Sequence, residues 1–194
     1  MASVVSRESY FDTGMDVLSD LGYGGLKLAE VCNRLGVTTG SFYHYFPNWS
    51  AYTRELIEHW REARTLRVVE AVRADPDPHR RVETLIRGAL ALPHGAEAAI
   101  RVWSSLDPDV YTVQSVVDQL RYDILFEAAR EIIGDDRNAG YFAAWGVYVI
   151  VGYEQSTLPR DGDALGWIAF QLRDALSTGR FAPSSDPTHG NTLN

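Results

Sequence analysis

A single cysteine, Cys32, stands in 194 residues, so the chain can form no internal disulfide and no multi-cysteine metal or iron–sulfur site. Metal-ligand spacings are missing too: there is no His-x3-His, no Glu-x-x-His and no cysteine pair. No cofactor is expected. Lysine is nearly absent, Lys27 being the only one, and the 18 basic residues are outnumbered by 26 acidic ones, for a formal net charge of -8. That balance argues against non-specific nucleic-acid binding by the surface as a whole, although one face can differ from the sum. Met1 to Phe11 holds no continuous apolar segment of the kind a secretory leader needs. The longest uncharged apolar stretch, Tyr141 to Tyr153, falls short of the ~20 residues that cross a bilayer. It reads as a buried helix, and the expectation is a cytoplasmic chain with no membrane partner.

No alternating strand pattern survives, and no internal repeat is present. Helical periodicity runs through almost the whole chain instead. Phe11, Met15, Leu18 and Leu21 make one apolar face, stopped by Gly22. Leu28, Val31, Cys32 and Leu35 make a second, stopped by Gly36; a short third helix covers 39–45 and ends before Pro47. Asn48 can cap a long fourth helix over 49–74, broken by Asp75-Pro76-Asp77-Pro78. Further helices are expected over 79–91, 96–105, 108–133, 136–157 and 163–177, with Asp107-Pro108 as a start signal and Gly134 as a stop. The fold class is therefore all-α, with nine helices. Residues 180–194 carry no periodicity and read as a disordered tail.

Within 26–46 the mechanics are those of a helix-turn-helix. Gly36 permits the positive φ of a short turn between crossed helices, and Val37 plugs the angle. Thr38 can cap the third helix, and Phe42 and Phe46 lock it inward. Thr39, Ser41, Tyr43, His44 and Tyr45 are left on the outer face, hydroxyls and rings suited to phosphate oxygens and base edges. Gly22-Tyr23, the second-helix pattern, and Gly-Val-Thr-Thr-Gly-Ser-Phe-Tyr-His-Tyr-Phe at 36–46 resemble the DNA-binding end of the TetR family of one-component transcriptional regulators. The close part of the resemblance covers about the first 58 residues. An ordinary three-helix packing unit is the plainer alternative for this stretch.

The resemblance implies a helix-turn-helix domain over 1–47 and a six-helix ligand-binding and dimerisation domain over 48–179. It further implies a homodimer through the last two helices, a double-stranded DNA operator, and a small-molecule effector of aromatic or apolar character. The function implied is a regulator, most often a repressor released by that effector, and not an enzyme. Lys27, Thr38, Thr39, Gly40, Ser41, Tyr43 and His44 are the expected DNA-binding residues. His59, Trp60, Trp103, Tyr111, Tyr122, Phe126, Trp145 and Tyr148 are the expected ligand-binding residues, each of which could equally be core or dimer seam. Asp118 and Glu154 have nothing in the sequence to bring them together, and Arg121 and Arg130 lie within reach of Asp118 and Glu127 along the helix. Positions often basic in the family hold Ala29, Thr39 and Trp49. A binding module with weakened or lost operator recognition is accordingly the second functional reading.

Overall fold

The computed structural model describes residues 5–181, and among these there is no strand. The elements are α1 (Arg7–Leu21), a 3-10 turn (Tyr23–Gly25), α2 (Leu28–Leu35), α3 (Thr39–Phe42), α4 (Trp49–Arg61), a π-helical turn (Glu62–Leu66) and α5 (Arg67–Arg73). They continue with α6 (Pro78–Leu90), α7 (His94–Ser104), α8 (Pro108–Ile133), α9 (Asp136–Gln155) and α10 (Gly162–Ser177).

Capping chemistry sets many of the starts. Ser6 and Ser9 close a reciprocal capping box on α1. Asn48 accepts from the Ala51 N–H at 2.8 Å to open α4. Asp77 and Asp107 each cap a helix whose first residue is proline, and Asp135 and Asp161 cap α9 and α10. Gly36 ends α2 in the left-handed region at φ 66°, as the sharp turn into α3 requires.

Three expectations change. The long fourth helix is not α-helical throughout: its inward positions include Tyr52, Leu56, Trp60, Thr65, Val69 and Val72. The step from Trp60 to Thr65 is five residues, and the π turn absorbs it. The third helix ends at Phe42, and Tyr45 turns inward, where its hydroxyl donates to the Val5 carbonyl and its ring lies 5.3 Å from Tyr10. Its ring is thus spent on the core and not on the outer face. The expected tail also starts later. Arg180 N–H still bonds the Ala175 carbonyl, and the Phe181 ring packs edge-on to Phe142 at 5.4 Å. The remainder of that expected tail, 182–194, lies outside the described residues.

One core joins the helix-turn-helix to the bundle. Tyr10, Phe11, Phe42, Phe46 and Tyr52 pack as an aromatic cluster continuous with Leu56, Trp60, Ile100, Trp103 and Val117. Burying each such side chain contributes about 1.5–3 kcal/mol. Within the cluster the fully buried Tyr52 hydroxyl donates to the Tyr10 carbonyl at 2.8 Å. Gly14 makes room for it, since a methyl group there would overlap Tyr52 Oη. Gly14→Ala should therefore destabilise the fold by about 1–3 kcal/mol, overpacking outweighing the better helix propensity. In a Tyr52→Phe background the same substitution should cost at least ~1 kcal/mol less, because the overlapping atom is gone. Urea unfolding of the four proteins measures this; additive costs would mean that the hydroxyl is not what fills the space.

Candidate functional site

The outer face of the helix-turn-helix is built by α3 and the turn before it. Thr38 Oγ1 accepts from the Ser41 N–H at 3.3 Å and lies 3.2 Å from Ser41 Oγ, which fixes the start of the short helix. Phe42 is fully buried, so the residues around it turn outward. Thr38, Thr39, Gly40, Tyr43 and His44 are exposed, Ser41 is half-buried beside them, and Lys27 is exposed at the start of α2. All seven residues expected to meet DNA are thus solvent-accessible. Its cations are few. Arg34 is paired with Asp20 at 2.7 Å and Glu30 at 2.8 Å. Arg7 is paired with Glu55, donates to the Tyr45 carbonyl, and lies 4.6 Å from the Phe46 ring centre. Among the described residues, Lys27 and Arg54 have no ion-pair partner.

The eight aromatic and histidine residues expected around a ligand do not converge. His59 stacks on Phe11 at 5.0 Å, between α1 and α4. Trp60 is buried and donates its indole N–H to Glu97 Oε1 at 2.8 Å. Trp103 stacks on Tyr23 at 5.0 Å and points its N–H at Asp107. Tyr122 and Phe126 lie on each other, whereas Tyr111, Trp145 and Tyr148 face outward. The physical reason is that large rings anchor helix crossings or stand on an unpartnered face, and neither use leaves a void beside them.

A cavity of about 310 Å³ lies elsewhere, and none of those eight residues lines it. Its walls are aliphatic, drawn from α5, α6, α8, α9 and α10, with Leu85, Leu125, Ile150 and Leu172 among them. Thr65, Arg101, Asp118 and Arg121 supply charged and hydroxyl groups to its lining.

Of these, Arg101, Asp118 and Arg121 belong to a buried ion network. Arg101 grips Asp118 through two hydrogen bonds of 2.8 Å and also donates to Glu154 at 3.2 Å. His94 Nδ1 lies 3.2 Å from the other Glu154 oxygen. Arg121 donates to Glu97 at 3.0 Å, and Glu97 also receives the Trp60 N–H. Asp118 and Glu154 are therefore brought together after all, by an arginine 17 residues from one and 53 from the other. Arg121 serves Glu97 instead of Asp118, and Glu127 pairs with Arg73 instead of Arg130. His94, Glu97 and Arg101 stand at i, i+3 and i+7 of one helix, a trace of this network in the sequence.

Burial, and then the nearby Glu97 charge, push the Glu154 carboxyl above its ordinary pKa, against the pull of His94 and Arg101. The folded state therefore holds that proton more tightly than the unfolded chain does. This favours the fold below the unfolded-state pKa and is lost as pH rises through the raised value. Glu154→Gln removes the titration. The melting temperature of the variant relative to the parent should rise as pH goes from about 4 to 8, across and above the ordinary carboxylate range. A difference that falls with pH would mean that Arg101 dominates and the carboxylate is held ionised.

The family described as "Bacterial regulatory proteins, tetR family" matches residues 11–50. The HTH-type transcriptional regulator BetI of Klebsiella pneumoniae is 25% identical over 151 residues, 71% of this chain and 75% of that relative. A transcriptional regulator of Saccharomonospora viridis, solved in complex with choline, has a similar fold, with TM-score 0.69 and 16% identity over 88% of this chain and 95% of that one. FadR of Bacillus subtilis, solved with stearoyl-CoA, aligns with TM-score 0.59 and 15% identity over 90% of this chain and 99% of that one. The helix-turn-helix segment is thus matched in sequence to the tetR family, and the whole chain shares its fold with solved transcriptional regulators.

Proposed function

We propose that this protein is a ligand-responsive repressor: a homodimer that holds an operator with two copies of the Thr38–His44 surface and lets go when a small molecule enters the C-terminal bundle. The observation that carries the reading is the shared core. The exposed face of α3 rests on aromatic residues continuous with the helices that wall the bundle, so a change in the bundle can reach the DNA-binding end. Choline and stearoyl-CoA in the two structural relatives support an effector site in this half of the chain. Residues 1–47 would act as the DNA-binding unit and 48–179 as the effector and dimerisation unit. No catalytic role is assigned, and a cytoplasmic location follows from the DNA partner.

Dimerisation is assigned to α9 and α10, along which Tyr141, Trp145, Tyr148, Trp167 and Phe170 all stand exposed. Pairing these helices across a two-fold axis would cover the rings as a four-helix bundle. It would also set two α3 faces toward successive half-sites about 34–36 Å apart. The test is a mobility-shift assay with DNA from upstream of the coding sequence at low salt, with and without effector. A second reading, a dimeric binding module with weakened operator affinity, is favoured by the pairing of Arg7 and Arg34 with carboxylates. It predicts no shift under the same conditions.

Tyr43 is 55% exposed, so Tyr43→Ala should leave the melting temperature within a few degrees of the parent. It should weaken operator binding by about 1–3 kcal/mol if the ring or hydroxyl reaches a base edge. Loss of stability with intact binding would return Tyr43 to the core.

The scarcity of free cations gives a second expectation. With two or three effective charges per protomer, the log–log dependence of affinity on salt should have a slope of about -3 to -5 for the dimer, at roughly -0.9 per phosphate neutralised. Thr39→Lys should tighten binding and steepen that slope by about 2. Fluorescence anisotropy across a salt titration measures both, and a parent slope near about -8 would show that other cations make the interface.

A further inference from the structure

The helix that carries the exposed DNA-facing residues, α3, is four residues long, a single turn. A helix that short does not hold its own geometry, since isolated helices under about 12 residues are marginal in water. The direction of its outer face must therefore come from what grips its two ends. At the front end Thr38 accepts from the Ser41 N–H. After Phe42 the chain stays coiled through the His44 N–H on the Ser41 carbonyl at 3.3 Å and the Tyr45 N–H on the Phe42 carbonyl at 2.9 Å. Tyr45 is then held at two points by the start of α1. Arg7 Nη1 donates to the Tyr45 carbonyl at 2.7 Å, and the Tyr45 hydroxyl donates to the Val5 carbonyl at 2.5 Å. The two holders flank Ser6, whose capping box with Ser9 fixes where α1 begins. One grip on the backbone and one at the far end of the side chain fix the rotation of Tyr45 as well as its place.

Arg7 is itself fixed from a third side. Its Nη2 pairs with Glu55 of α4, and its guanidinium lies 4.6 Å from the Phe46 ring centre. One fork thus joins α1, the chain leaving α3, and α4. Both members of the ion pair are exposed, so the pair taken alone is worth little to stability. What the site uses is the shape of the group. A planar guanidinium reaches a carbonyl and a carboxylate at once, whereas a lysine ammonium is a compact point charge. Glu55 also neutralises the positive charge where it stands.

We propose that Arg7 is a positioning residue for the operator: through Tyr45 it sets the direction in which Thr39, Tyr43 and His44 face DNA, and it makes no phosphate contact itself. The proposal rests on the reading of the Thr38–His44 surface as the operator contact and gives that surface a brace from α1.

The test uses the full chain and has two arms. In the first, affinity for the upstream DNA fragment is followed across a salt titration for the parent, Arg7→Met, Arg7→Lys and Tyr45→Phe. Both Arg7 variants should bind roughly tenfold more weakly with the salt slope unchanged, because lysine keeps the charge but not the fork. Tyr45→Phe should move affinity the same way. Combined with Arg7→Met it should cost less than the product of the two, since both act on one grip. A slope shallower by about 2 across the dimer for Arg7→Met, with full binding by Arg7→Lys, would make Arg7 a phosphate contact and overturn the assignment. Lower melting temperatures with affinity intact would reduce it to a stabilising contact and overturn the assignment equally. The second arm is hydrogen exchange without DNA. The His44 and Tyr45 amides should exchange several-fold faster in Arg7→Met, and those of α8 at the parent rate. Unchanged exchange at His44 and Tyr45 overturns the brace. If the parent binds no upstream fragment while that exchange quickens, the operator role falls with the repressor reading and the brace on α3 stands.

Discussion

The Arg101 guanidinium is the point on which the bundle turns. It sits in α7, holds Asp118 of α8 with two hydrogen bonds and reaches Glu154 of α9 with a third. One turn away Glu97 ties Arg121 of α8 to Trp60 of α4. Four helices are thus joined through buried charges that cannot be left unpaired, since removing one partner of such a set typically costs about 3–5 kcal/mol. Apolar packing alone would permit several ways of sliding these helices past one another. Arg101, Asp118 and Arg121 of this network line the same cavity, together with Thr65.

The same helix meets the DNA-binding end. Gly95 of α7 lies so close to Ser19 of α1 that a Cβ there would stand 2.6 Å from the Ser19 carbonyl oxygen. Farther along α7, Trp103 stacks on Tyr23 in the turn after α1. α7 therefore touches the cavity through Arg101 and the helix-turn-helix through Gly95 and Trp103. No soft linker separates the two halves, and a tight rigid contact is what a small change in a cavity needs if it is to move a distant surface.

Local signals were legible in the sequence wherever one residue decides one turn. Asn48, Asp107-Pro108 and Gly134 marked helix ends that the structure keeps. The π turn at Glu62–Leu66 was written there as well, in the five-residue step from Trp60 to Thr65, but a period of 3.6 tolerates one such step and the segment read as α-helical throughout. Tyr45 could not be assigned, because a tyrosine next to an exposed face serves equally well with its ring turned in.

By itself the sequence determined the all-α class, most of the helix ends, and the surface from Thr38 to His44, because caps, turns and the burial of Phe42 act over three or four residues. Only the tertiary structure decided where the cavity lies. Aromatic side chains at helical spacing pointed to a pocket, yet the packed chain uses them as anchors or leaves them outside, and the cavity is aliphatic. A void is what remains after side chains from six helices have met, and no periodicity within one helix records it. The ion network likewise joins residues up to 60 positions apart, and such a pairing exists only once the helices have packed.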